Sequence, residues 1–231
     1  THMMAPGDGT HGDITGNEQD DVLLMRALQN ARTFLHAGVT TARENGAKNK
    51  VGFSLKEGIQ RGLSEGPEMV VSGRPITITG GHFWYCGSEA DGVEGVRAEV
   101  RKLIKEGADF IKIMATGGST WSSNPLQASY TVEEMAVIVE EAHRFGKQTA
   151  AHCASMQGIK NALDAGVDMI IHCVFEDETG MYEFNEPLAE QLAAAKAWVN
   201  PTLHVVQSGI DLTERIGYDR GWLTKEEQAS I

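Results

Sequence analysis

One unit recurs along this chain: a stretch with helical spacing, a glycine, then a short apolar run rich in β-branched residues. Residues 18–37 place Val22, Leu23, Met25, Leu28, Phe34 and Leu35 at near-helical intervals and stop at Gly38. VTTAR (39–43) follows and reads as a strand ending near Glu44-Asn45-Gly46. The pattern returns in 52–66 before MVVSG, in 95–107 before DFIKIMATGG, and in 131–146 before QTAAHC. It returns again in 156–166 before VDMIIHC and in 187–197 before WVNPTL. Alternation of helix and buried strand requires parallel strands joined by helical crossovers. Such an order suits an open doubly wound sheet or a closed (β/α)8 barrel. No GxGxxG stands between the first strand and the helix after it, which counts against a dinucleotide-binding sheet. The expected fold is therefore α/β, an incomplete (β/α)8 TIM barrel forming a single domain over residues 1–231.

Composition narrows the function classes. With 20 basic and 32 acidic side chains the formal net charge is -12, which would repel a phosphate backbone, so no nucleic-acid partner is expected. No apolar run approaches the ~20 residues of a membrane helix, and THMMAPGDGTHGD lacks the basic and apolar regions of a secretory signal. Three cysteines without CxxC spacing read as reduced thiols, so a cytoplasmic location is expected, with a homo-oligomer left open.

In parallel α/β proteins the carboxyl ends of the strands form the functional face. Arg43, Lys112, His152, His172, Asn200 and Thr202 all fall at or near those ends. Lys112 is the sharpest anomaly, a cation between Ile111 and Ile113 in an apolar strand. Burial lowers a lysine's pKa and leaves a reactive amine. Three readings of it stand: a Schiff-base nucleophile, a carbamate that binds metal, or a structural lysine paired with an acid. His152 and His172 end the next two strands, where neighbouring imidazoles can share one metal. That pair favours the metal over the Schiff base.

These residues resemble the amidohydrolase superfamily of metal-dependent hydrolases, in its imidazolonepropionase-like or prolidase-like branch, which includes dipeptidases. GVTTAR (38–43), SGRPITITGGH (72–82), EGADFIKIMATGG (106–118), EEAHRFGKQTAAHC (140–153), GIKNALDAGVDMIIHC (158–173) and NPTL (200–203) carry the likeness. The resemblance implies a barrel with one or two divalent ions, usually zinc. Its ligands would be an HxH pair on strand one, a carboxylated lysine on strand four, single histidines on strands five and six and an aspartate on strand eight. Lys112, His152 and His172 match the lysine and the single histidines. His2 matches the second histidine of the first motif, the competing reading being a cloning remnant. The strand-eight aspartate has no candidate, since Asp211 comes too soon, and Arg43-Glu44 departs from the usual Arg-Asp.

The activity implied is hydrolysis of an amide or peptide C–N bond in a dipeptide or cyclic amide by metal-activated water. Lys112, His152 and His172 would be catalytic, with Lys112 as carbamate, and the same three with His2 would hold the metal. His82 in the TGGH loop, Tyr130 and Arg43 would contact substrate, while His82 as a backbone cap and Tyr130 as a packing residue are the plain alternatives. Gly117-Gly118 would admit backbone close to ligand, or only make the turn; Cys153 and Cys173 would face the core, and His11 gets no role. The alternatives are a Schiff-base lyase using Lys112 and a non-catalytic truncated barrel. A full barrel runs to ~250 residues, so 231 residues without a flanking β-sandwich are expected to be strands two to seven of a longer parent, with little activity alone.

Overall fold

Every expected helix–strand unit forms. A computed structural model describes residues 1–8 and 10–205. Its elements are α1 (Gly12–Gly16), α2 (Asp20–His36), β1 (Thr41–Glu44), α3 (Val51–Gln60), β2 (Glu68–Val71), a 3₁₀ turn (Trp84–Cys86) and α4 (Gly92–Glu106). There follow β3 (Ile111–Met114), α5 (Val132–Arg144), β4 (Thr149–Ser155), α6 (Met156–Asp164), β5 (Met169–Glu176), α7 (Glu186–Ala194) and β6 (Trp198–Asn200). Local chemistry sets the boundaries. Thr131 and Glu134 form a reciprocal capping box at the start of α5, Asn185 caps α7, and α4 stops at Gly107, whose φ of 105° suits glycine. Asp211 and the terminal LTKEEQASI lie outside the described residues.

The strands pair in parallel and in the order of the chain. β1 pairs with β2, and β3 through β6 form one ladder. Between the two groups the Asp109 N–H donates to the Val71 carbonyl at 2.8 Å, and Ile76 exchanges bonds with Lys112 and Met114 at 2.8 and 2.9 Å. Beyond β1, the Thr1 ammonium donates to the Arg43 carbonyl and the Asn45 N–H to the Thr1 carbonyl, each at 2.9 Å. Thr1-His2 thus lies beside β1 as a further strand end.

The sheet is strongly curved. Arg43 Nη1 reaches within 2.9 Å of the Met169 sulfur on β5. Four strand spacings of ~4.8 Å would put these strands ~19 Å apart in a flat sheet, beyond an arginine's reach. Alternation then sorts the side chains. Ile111, Ile113, Ala151, Cys153 and Ile170 join Leu103, Met135, Ile138 and Ile159 in an outer core under the helices. Phe110, Ala150 and Ile171, with Val70 and Met169, fill the concave side. Tyr130 takes the packing alternative: it lies in the outer core at 2% exposure and its hydroxyl donates to the Ala90 carbonyl at 2.8 Å. Among the described residues no helix is long and apolar enough to cross a membrane.

Candidate active site

The concave side of β3 carries Phe110, Lys112 and Met114, because Ile111 and Ile113 take the helix side. Lys112 is 1% exposed, and its amine makes its contact with the Met114 sulfur at 3.4 Å. Burial pulls its pKa down from 10.5 to about 7, and among the described residues no carboxylate offsets that.

Above it stand the histidines. His152 lies level with Met114, and its Nε2–H donates to the Gly117 carbonyl at 2.9 Å, which leaves Nδ1 with the lone pair. His172 requires a backbone device. Ile170 faces outward and Ile171 inward, so strict alternation would send His172 out. Instead His172 (φ 67°) and Cys173 (φ 55°) are both left-handed, which keeps the imidazole inside and returns Cys173 to the outer core. Each such non-glycine residue costs about 1–2 kcal/mol. Thr202, itself at φ 50°, hydrogen-bonds His172 Nδ1 at 2.7 Å.

His82 comes from the TGGH loop and shares a 2.7 Å hydrogen bond with the Thr120 hydroxyl. The rings of His82, His152 and His172 stand in file, with centroids 4.6 and 4.7 Å apart. His2 completes the group. Its Nδ1–H donates to the Gly46 carbonyl at 2.8 Å, freeing Nε2, and its ring lies 4.7 Å from Phe83. Burial, reinforced by the Lys112 charge, holds all four imidazoles below their ordinary pKa. For His172 the value is about 4.

One support was not expected. Glu44, fully buried, accepts the Met3 and Gly46 N–H groups and so ties the His2 segment to the turn after β1. Burial raises its pKa to about 7. Gly117 and Gly118 are required by space: a Cβ at Gly117 would lie 2.0 Å from the Asn124 carbonyl oxygen, and one at Gly118 2.5 Å from His82 Nε2. Arg43 is not at the rim. Its guanidinium lies 4.4 Å over the Phe110 ring and against Met169, in the floor beneath Lys112, because alternation turns it inward below the strand end. His11 and Trp121, given no role by sequence, stack near the mouth with centroids 4.8 Å apart. The signal was present: a large aromatic in the polar loop STWSSNP.

Among the described residues no three His, Cys, Asp or Glu side chains converge on one point as a ready metal cage. The donor chemistry still suits a divalent ion. Several neutral imidazoles face a buried amine that has no acid against it among the described residues, a set that a cation would satisfy.

Residues 5–216 match the Amidohydrolase family. Ochratoxinase of Aspergillus niger is 34% identical, over 77% of this chain and 42% of its own. A prolidase crystallised with N-methylphosphonate-L-proline superposes with a TM-score of 0.79 at 27% identity, over 95% of this chain and 55% of that one. A Xaa-Pro dipeptidase with methionine in its active site gives 0.75 and 28%, over 86% and 50%. The chain thus spans about half the length of these relatives. By the family match and these likenesses, the chain belongs to the amidohydrolase family, on its prolidase-like side.

Proposed function

We propose that this chain is the larger part of the catalytic barrel of a metal-dependent hydrolase that cleaves the C–N bond of a dipeptide or a cyclic amide. One observation carries the reading: a buried amine with a pKa of about 7, with no acid against it among the described residues, lies beneath a file of neutral imidazoles. Burial that draws the Lys112 pKa down to about 7 leaves free amine at neutral pH, which can add carbon dioxide, lose a proton and become a carbamate, a carboxylate on a long arm. That carbamate with His2, His152 and His172 would hold one or two ions, zinc being favoured by the nitrogen-rich set. When bound, zinc would lower the pKa of water and polarise the scissile carbonyl.

The chain's own residues then orient. The Gly117 carbonyl and the Thr202 hydroxyl fix the ring faces of His152 and His172. His82, held by Thr120, offers its other nitrogen to a substrate carbonyl or carboxylate. Glu44 accepts one backbone N–H on each oxygen, which ties its carboxyl to the His2 segment and the turn after β1. The strand-eight aspartate that the resemblance implies would serve as proton carrier, and it has no candidate among the described residues. Three buried free thiols support a reducing, cytoplasmic setting.

The test combines metal analysis with assays of Xaa-Pro dipeptides and N-acyl amino acids, after loading with zinc and 13C-bicarbonate. Wild type should bind metal stoichiometrically and show a carbamate carbon signal, and Lys112→Ala should lose both. Full metal retention in Lys112→Ala, or borohydride trapping of a carbonyl compound on Lys112, would overturn the reading in favour of a structural or Schiff-base lysine.

A further inference from the structure

Two loops meet beside the histidine file, one following Met4 and one following β3. Trp121 on the second loop is 67% exposed, yet it is not loose. One face of its indole stacks on His11, with ring planes 8° apart, and its backbone N–H donates to Asp13 Oδ2 at 3.3 Å. The other face is open. Thr120, its neighbour, holds both the His82 ring and the Phe83 N–H, so Trp121 is one residue from the catalytic file.

His11 is equally fixed. Its Nδ1 receives the Asp13 N–H at 3.3 Å at the start of α1. That helix rests on Tyr85, since a Cβ at Gly12 or Gly16 would come within 2.5 Å of the tyrosine. Nε2 of His11 is buried and has no hydrogen-bond partner among the described residues. A buried ring nitrogen without a partner normally marks a place where a ligand or water completes the bond. Phe83 continues the aromatic lining between His2 and Tyr85, with centroids 4.7 and 5.2 Å away.

We propose that His11 and Trp121 form a stacking platform at the mouth of the site that receives a flat, aromatic group of the substrate, remote from the scissile bond. This rests on the hydrolase reading above and adds the substrate class: amides whose acyl part bears an aromatic ring. Rigid aromatics with one face supported by the protein lose little freedom on binding, which suits them to select a planar group.

The probes are benzoylglycine and acetylglycine, which share the amide and carboxylate and differ in the ring. Binding to the full, zinc-loaded chain is measured calorimetrically. Wild type should favour the benzoyl compound about three- to tenfold, the range of an aromatic stacking contact. Trp121→Ala should abolish that preference, and Trp121→Phe should keep most of it. His11→Asn, which retains an acceptor for the Asp13 N–H, separates stacking from capping and should also lose the preference, with an unchanged melting temperature. No preference in wild type, or one unmoved in Trp121→Ala, would overturn the platform. Metal content and the Lys112 carbamate signal are measured on the same samples. Intact discrimination without metal or carbamate sinks the hydrolase reading alone, and metal with carbamate but discrimination insensitive to Trp121 sinks the platform alone.

Discussion

At Lys112 the chain keeps an amine where water does not reach, touching a methionine sulfur where an acid would be expected. Replacing it by methionine removes a polar group from an apolar site at similar volume. Lys112→Met should therefore raise the stability of the metal-free chain by on the order of 2 kcal/mol, while removing metal uptake. The dependence on pH follows from the proton. The amine deprotonates near pH 7 in the folded chain and near 10.5 when unfolded, so between these values the unfolded state binds more protons. Stability of wild type relative to Lys112→Met should then rise from pH 7 to 9, by up to about 1.4 kcal/mol per pH unit. Urea melts of both proteins across that window give the difference, and parallel curves would refute it. Lys112 was legible in sequence because a charge between two isoleucines breaks a local pattern. For Arg43 and Tyr130 a position near a strand end or in a loop says nothing about where the side chain turns, and the structure packs one over Phe110 and the other in the outer core. His172 is visible in the sequence as a strand-ending histidine, but its inward aim depends on two left-handed residues that no spacing rule supplies.

Among the elements, those bounded by local chemistry were read well. Thr131-Val132-Glu133-Glu134 announces the start of α5, and the capping box forms. Thr131→Ala should cost about 1 kcal/mol in a thermal melt and leave metal content unchanged, because α5 packs outside the sheet. An unaltered melting temperature would count against the cap. Helix α1 escaped notice: five residues with two glycines carry no periodicity, and it stands by lying on Tyr85. The join between β2 and β3 was equally hidden, since it passes through the isolated bridge at Ile76 and the Asp109–Val71 bond rather than through a continuous ladder. Elements that rest on partners remote in sequence leave no local trace.

For the molecule as a whole, one side is better covered than the other. Met181, Tyr182, Phe184, Trp198, Val199, Leu203 and Val205 are all exposed, and every one follows the middle of β5. On β6 both Trp198 and Val199 are uncovered, so neither face of that strand is sheltered. Apolar strands with open faces associate. Light scattering should show concentration-dependent self-association of the chain, reduced in Val199→Lys; an equally monomeric wild type would refute this. The order of the strands has a further consequence, for how the molecule comes into being. Each strand lies next to the one made just before it, from the Thr1 segment through β6. Chain leaving the ribosome would find its partner already waiting, and the sheet would grow at its carboxyl edge as synthesis proceeds. On that view Lys112 is already placed in the sheet before His152 and His172 are translated to stand above it.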